Sequence, residues 1–129
     1  MSLDKKLFRS GPYKDLFSQG VQVGNILYLS GQVGVDAKGQ AGENLTAQAA
    51  LAYSSIKSVL AEFDATMDNI VDETFFVTDM GEFMGSVESL YTARAEAYGG
   101  TPEVSQTVVQ VVALVQAELK IEIKCVAHL

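Results

Sequence analysis

Apolar and polar residues alternate near the start of the chain in the pattern of a β-hairpin. Residues 17–23 alternate between the two classes, Gly24 and Asn25 form a two-residue turn signal, and residues 26–30 are apolar enough for a second strand. Glycine and asparagine both tolerate positive φ at low steric cost. The pattern therefore predicts two antiparallel strands joined by a tight turn.

After a glycine-rich loop, the spacing of the apolar residues changes to three and four over residues 45–63. This spacing predicts an amphipathic helix, with Asn44 or Thr46 as its N-cap. Residues 70–78 are then dense in β-branched and aromatic side chains, which is typical of a buried strand. We therefore expect a helix followed by a third strand.

A second helix is predicted where Asp79 and Glu82 stand three residues apart, as in a capping box. Helical spacing continues to the glycine pair at 99–100, which can supply a left-handed stop. Residues 105–114 and 119–127 are predicted to be the last two strands. The order ββαβαββ indicates an α+β fold with a mixed sheet.

The number of helices also predicts an oligomer. Two helices cover only one face of a sheet of five or six strands, so the other, fairly apolar face needs a cover. Another copy of the same chain is the simplest cover, and closed rings of subunits are common. We therefore expect a homo-oligomer.

Length and charge narrow the possible functions. A chain of 129 residues is the usual size of one domain, so residues 1–129 are predicted to be a single domain whose first ten residues fray. Nine Lys and Arg against sixteen Asp and Glu give a net charge of −7, which repels nucleic acid and anionic membranes. The sequence shows no secretion signal and no apolar run long enough to span a bilayer. We expect a cytoplasmic protein that binds neither nucleic acid nor membrane.

Few side chains offer catalytic chemistry. Cys125 and His128 are the sole Cys and His of the chain, too few to hold zinc, so no metal site is predicted. Glu122 is the remaining candidate because it stands between Ile121 and Ile123 in an alternating strand. Two interpretations stay open for it: a solvated carboxylate at a sheet edge, or a partly buried acid that positions water.

Three segments resemble the RidA family, also called YjgF or L-PSP endoribonuclease, and the resemblance runs from about residue 11 to residue 127. They are GNILYLSGQ at 24–32, FVTDM at 76–80 with Phe83, and IEI at 121–123 with Val126 and Ala127. The resemblance implies a chorismate-mutase-like α+β fold, a homotrimer, and clefts between subunits that bind small molecules. It also implies hydrolysis of reactive imines or enamines with release of ammonia, without metal or cofactor.

The resemblance assigns expected roles to single residues. Glu122 matches the glutamate that holds the attacking water, while Ser30 and Gly31 match a pair that lines the cleft. Family members begin a late strand with Pro-x-Arg-Ser, whose arginine binds the substrate carboxylate. Here Val104 stands in place of that arginine and Gln106 where many members have cysteine, and both are expected to contact the substrate. The usual 2-imino acid is therefore not the expected substrate.

Two further assignments stay open. Either Tyr13 or Phe17 occupies the aromatic position over the cleft, and Phe17 is favoured because it continues the strand without a gap. Lys120 and Lys124 share the side of Glu122 in an alternating strand, so either is a candidate replacement for the missing cation. The sequence thus predicts a hydrolase acting on a neutral or differently anchored imine. The alternative is a non-catalytic trimer that binds or senses a small molecule; the net charge and the C-terminal position of the one histidine argue against a ribonuclease.

Overall fold

The computed structural model describes residues 3–129, which form one mixed sheet with helices packed on one face. The strands are β1 (Lys6–Phe8), β2 (Gly20–Val23), β3 (Ile26–Leu29), β4 (Gln32–Val33), β5 (Ile70–Val77), β6 (Ser105–Gln110) and β7 (Ile121–His128). The helices are α1 (Leu45–Ala61), α2 (Met80–Gly85) and α3 (Val87–Tyr98), with a 3₁₀ turn at Met67–Asn69. The α+β class and the mixed sheet predicted from the sequence are confirmed.

The strands follow the order β1-β2-β3-β7-β5-β6, and β4 pairs with β7 beyond the end of β3. Strands β5 and β6 are parallel and are joined through α2 and α3, whereas the other pairs are antiparallel. The predicted hairpin is confirmed as β2 and β3, with Gly24 at a φ of 58° in its turn. Strands β1 and β4 were not predicted. Strand β1 lies in the segment expected to fray, yet it pairs with β2.

Helix α1 settles the choice of its N-cap. The Asn44 side chain accepts a hydrogen bond from the backbone N–H of Ala47 at 2.8 Å, so Asn44 and not Thr46 is the cap. One face of the helix packs on the sheet and is fully buried, including Ala52 and Ile56. Burying a side chain such as isoleucine contributes about 1.5–3 kcal/mol, so this face ties the helix layer firmly to the sheet.

The second predicted helix is in fact two. Asp79 caps α2 as expected, accepting from the N–H of Glu82 at 3.0 Å, and Gly99 at a φ of 79° ends α3. Between the two helices, Ser86 leaves the helical conformation with φ −110° and ψ 3°. The break follows Gly85, and glycine costs about 1 kcal/mol relative to alanine in a helix interior, so the chain bends there.

One face of the sheet is left uncovered by the helices. Phe75 and Val77 of β5 point into the core and are fully buried, whereas side chains of the other phase are partly exposed. We call this other side the open face; its exposed or half-buried residues include Tyr28, Thr74, Phe76, Thr107 and Val109. An open face of the sheet is what the sequence predicts, because two helices cover only one face. Within residues 3–129, none of the helices is long and apolar enough to cross a bilayer.

Candidate functional site

A cavity of about 660 Å³ lies between the 10–17 loop, the link from β3 to β4, and helix α1. Five of the seven residues predicted for the site line it: Tyr13, Phe17, Ser30, Gly31 and Glu122. These residues come from three separate parts of the chain. The fold therefore brings together most of the site that the sequence predicted.

Ser30 and Gly31 join two short strands that lie end to end along the same partner, since β3 and β4 both pair with β7. The Ser30 hydroxyl donates to the carbonyl of Ser18 at 2.6 Å, and the backbone N–H of Ser30 donates to the carbonyl of Gln19 at 2.9 Å. The Gln32 side-chain amide donates to the Gln19 side chain at 2.8 Å. These bonds fix the link against the segment that leads into β2.

The backbone of Gly31 lies so close to the Glu122 side chain that there is no room between them for another side chain. A Cβ atom at position 31 would lie 2.2 Å from Oε2 of Glu122 and 2.7 Å from its Cδ, closer than real contacts of this kind. The carboxylate therefore lies directly over the backbone of residue 31. Any larger residue there would displace the candidate catalytic group.

The carboxylate of Glu122 is half-buried on β7, opposite Val33 of β4. Burial raises its pKa above the ordinary value for glutamate, and the nearby ammonium of Lys124 opposes that rise. Among residues 3–129, no protein group donates a hydrogen bond to it. The location matches the partly buried acid, the second of the two interpretations from the sequence, and leaves its oxygens able to accept from a water molecule.

Tyr13 and Phe17 both line the cavity, so the structure does not choose between them. Their rings stack with centroids 5.7 Å apart and planes 18° from parallel. A turn holds them together, because the N–H groups of Leu16 and Phe17 both donate to the carbonyl of Tyr13. The two aromatic residues form one wall.

Val104 and Gln106 do not line this cavity of the single chain, so their contact with a substrate in a cleft between subunits stays a prediction. Val108 of β6 packs on the core, and the two-residue period of a strand takes Gln106 and Val104 to the same, helix-facing side. The residue that faces outward at the start of β6 is Ser105, whose hydroxyl donates to Asp72 at 2.6 Å.

The two lysines that the sequence offers as candidate cations do not line this cavity. The Lys120 ammonium pairs with Glu82 at 2.8 Å, and the Lys124 ammonium donates to the carbonyl of Leu29 at 2.6 Å. Neither side chain is among the described residues that line the cavity. Lys124 acts on Glu122 through its charge alone.

With this geometry in view, comparisons with known proteins place the chain in a family. The family model described as Endoribonuclease L-PSP matches residues 11–129. The chain belongs to the RidA (YjgF, L-PSP) family. It is similar to 2-iminobutanoate/2-iminopropanoate deaminase of Salmonella typhimurium, with 32% identity over 118 residues, 91% of this chain and 87% of that protein. It is also similar to a RutC family protein of Saccharolobus solfataricus, with 36% identity over 100 residues, 74% and 76% of the two chains.

The fold is shared with solved members of the family. A crystal structure of a YjgF/YER057c/UK114 family member from Mycobacterium tuberculosis superimposes with a TM-score of 0.82 at 23% identity, covering 98% of this chain and 100% of that one. At this identity the likeness establishes the fold alone. The RidA-type fold inferred from the three sequence segments is thereby confirmed.

The cavity also contains polar residues of α1 that sequence analysis did not identify: Ser55, Ser58 and Glu62. They recur three and four residues apart, so they share one side of the helix. Small serines at this spacing next to a buried apolar stripe were the available signal. They supply hydroxyl groups and a second carboxylate to the cavity.

The other polar cluster that was missed surrounds Glu73 in the core. Glu73 is fully buried on β5 and accepts four hydrogen bonds. The donors are Arg94 Nε at 2.5 Å, Gln106 Nε2 at 2.7 Å, Tyr98 OH at 2.7 Å and Tyr53 OH at 3.0 Å. The signal for it was a carboxylate in the same strand phase as the buried apolar residues of β5.

The described part of the chain contains no group of three His, Cys, Asp or Glu side chains that could hold a metal ion.

Proposed function

We propose that this protein hydrolyses a small imine and releases ammonia, with Glu122 holding the attacking water. The observation that carries the proposal is the half-buried carboxylate seated over Gly31 in a cavity that Ser30 also lines. A relative at 32% identity is named as a deaminase of two 2-imino acids, which supports the reaction class.

The chemistry needs one group that can both accept and return a proton. Glu122 accepts a proton from water as the water oxygen attacks the carbon of the C=N bond, giving a carbinolamine. That proton passes to nitrogen, the hydroxyl proton of the carbinolamine follows it through Glu122 as the C–N bond breaks, and a carbonyl compound and ammonia leave. Burial raises the pKa of this carboxyl group above its ordinary value, which favours the return of the proton to nitrogen.

The substrate differs from that of an arginine-bearing member of the family. A bidentate arginine–carboxylate contact contributes on the order of 1.5–3 kcal/mol, or roughly ten- to a hundredfold in affinity. Val104 packs on the core and Ser105 faces outward in its place, so this contact is missing from the start of β6. The proposed substrate is therefore a small imine held by other contacts.

The proposal includes a homotrimer, with the open face covered by neighbouring copies and the cavity completed at the subunit boundary. Tyr28 and Val109 are 45% and 37% exposed on that face, which supports burial against another chain. Sedimentation of the purified protein tests this part. A single protomer across micromolar concentrations would refute it.

The test of activity uses imines that are made in the assay by amino-acid or amine oxidases and then trapped with semicarbazide. An active deaminase lowers the rate of semicarbazone formation and raises that of ammonia. We expect Glu122→Ala to lose this effect, while Glu88→Gln, a charge change on the exposed side of α3, keeps it. Equal rates for the wild type and Glu122→Ala would overturn the proposal.

A second candidate function is binding or sensing without catalysis. The aromatic wall and the missing arginine favour it, since both suit a ligand that is held but not anchored by its carboxylate. Stabilisation by a ligand in a thermal unfolding assay, with no turnover of any imine, would favour this candidate.

A further inference from the structure

We propose that the cavity selects a cation, and that its substrate is a protonated imine without a carboxylate. This inference rests on the proposed function, because it takes the occupant of the cavity to be the imine that is hydrolysed. The argument rests on the charges and aromatic rings that line the cavity.

The charges on the cavity wall are of one sign. Glu122 is half-buried within it and Glu62 is exposed beside it. None of the lining residues that the structure describes is Lys, Arg or His. Two carboxylates in a lining that includes no basic residue favour a cationic ligand over a carboxylate. Because it is partly desolvated, Glu122 contributes the larger share.

Basic side chains are present nearby, but backbone carbonyl groups engage them outside the cavity. Arg9 donates to the carbonyl of Lys14 at 2.8 Å, and Lys124 donates to that of Leu29 at 2.6 Å. Lys6 lies 3.4 Å from the carbonyl of Glu62 and 5.2 Å from the centre of the Phe63 ring. None of these three basic residues is among the described residues that line the cavity.

The aromatic wall supplies a second, independent attraction for a cation. Tyr13 and Phe17 stack and both line the cavity, and Phe17 is 41% exposed. Cations bind over aromatic faces, because the ring quadrupole is negative there. An iminium group in the cavity would be attracted by this wall and by the carboxylate of Glu122, which line it together.

The reaction balances for such a substrate. A protonated imine, R₂C=NH₂⁺, takes up one water molecule to give R₂C=O and NH₄⁺. The C–O bond forms at the carbon and the C–N bond breaks, while Glu122 carries the two protons of the water, one after the other, from oxygen to nitrogen. No oxidant or cofactor is required.

Binding is tested with three flat probes of one shape that cannot be hydrolysed in this way: benzamidinium, benzamide and benzoate. We expect benzamidinium to bind at least about tenfold more tightly than benzoate, with benzamide between them, by calorimetry at low salt. Tighter binding of benzoate would overturn the inference, and it would also reveal a basic side chain brought in by another subunit.

Variants separate the contribution of the carboxylates to cation binding from that of the aromatic wall. We expect Glu122→Gln to weaken benzamidinium by roughly tenfold and Glu62→Gln by about twofold, because Glu62 is solvent-screened. Glu88→Gln is the matched control outside the cavity and should change nothing. Phe17→Leu should weaken benzamidinium by about two- to fivefold but leave benzamide nearly unchanged. Equal losses for both probes would mean that Phe17 acts as an apolar surface only, and would contradict the aromatic part of the inference.

Turnover separates this inference from the proposed function. An amine oxidase makes imines without a carboxylate, and an amino-acid oxidase makes 2-imino acids, so the two can be compared at equal rates of supply. Faster hydrolysis of the carboxylate-free imine supports both proposals, whereas faster hydrolysis of the 2-imino acid refutes the inference and keeps the deaminase. If benzamidinium binds selectively but neither imine is hydrolysed, the cation preference stands and the proposed function fails.

Discussion

Two glutamates on neighbouring strands of one sheet differ in burial and in the hydrogen bonds that they accept. Glu73 on β5 faces the helices, is fully buried, and accepts hydrogen bonds from four side chains. Glu122 on β7 lines a cavity, is half-buried, and accepts none from the described residues. A buried carboxylate whose acceptor sites are filled by the protein holds the structure together. One with free acceptor sites is available to a ligand.

The difference lies in what each carboxylate joins. The donors to Glu73 come from α1, α3 and β6, so the cluster links both main helices to two strands. The guanidinium of Arg94 also lies 5.3 Å and 5.5 Å from the ring centres of Tyr91 and Tyr98. Burial and the neighbouring carboxylate raise the pKa of the Tyr53 and Tyr98 hydroxyls, which keeps both protonated as donors. The two tyrosines therefore remain hydrogen-bond donors to Glu73.

The largest expected difference between Glu73 and Glu122 is the loss of stability when each carboxylate is removed in turn. Glu73→Ala leaves Arg94 buried without its partner, and we expect a loss of about 3–5 kcal/mol in the free energy of unfolding. Glu122→Ala should cost less than about 1 kcal/mol, since no protein donor is orphaned. Urea unfolding measures both.

If Glu73→Ala does not fold, a double variant keeps the argument testable. Glu73→Gln combined with Arg94→Met removes both charges, so it should recover much of the loss. Equal destabilisation by Glu73→Ala and Glu122→Ala would show that the two carboxylates do not differ as described.

The next effect concerns the contact between Gly31 and Glu122. The methyl group of Gly31→Ala would overlap the carboxylate, so we expect a loss of about 1–3 kcal/mol in stability. Adding Glu122→Ala removes the overlap and should restore stability, which a double-mutant cycle by urea unfolding measures as coupling. Gly85→Ala is the matched control, because nothing lies within 4 Å of a Cβ there. Additive losses in the cycle would contradict the close approach.

A smaller effect is expected from single hydroxyl groups. Tyr98→Phe removes one of the four donors to Glu73, and we expect a loss of about 1.5 kcal/mol in thermal or chemical unfolding. Tyr13→Phe removes the corresponding atom from the cavity wall and should change stability by less than about 0.5 kcal/mol. A larger loss at Tyr13 than at Tyr98 would reverse the comparison.

How far the sequence predicts this fold depends on how strongly burial marks each segment. The hairpin and α1 were predicted from the visible period of their apolar residues, and β5 from its density of β-branched and aromatic residues. Strands β1 and β4 have three and two residues, too few to show a period. Around β6, valines stand at positions 108, 109, 111 and 112, so the pattern itself does not fix the phase.

The same reasoning explains the mixed outcome at the site. Glu122 was identified because its neighbours Ile121 and Ile123 are unmistakably core residues, which fixes the phase of β7. The side of the sheet on which Val104 and Gln106 lie could not be predicted, because only the packing of Val108 on the core determines the phase of β6. The partners of Glu73 could not be predicted, because they lie 20 to 33 residues away and meet it only through tertiary packing.

The smallest effect is a pH dependence confined to Glu122. Its pKa in the folded protein is raised by burial, so between the unfolded and folded pKa values the native state binds more protons than the unfolded state. Stability contributed by this group is therefore present at pH below the ordinary glutamate range of about 4.3 and is lost as pH rises through the folded pKa. Glu122→Gln cannot ionise, so relative to the wild type it should gain stability over that window and then level off. Urea unfolding of both proteins from pH 4 to pH 8 checks this, and a difference that is flat with pH would mean that the carboxylate is as well solvated in the folded chain as in the unfolded one.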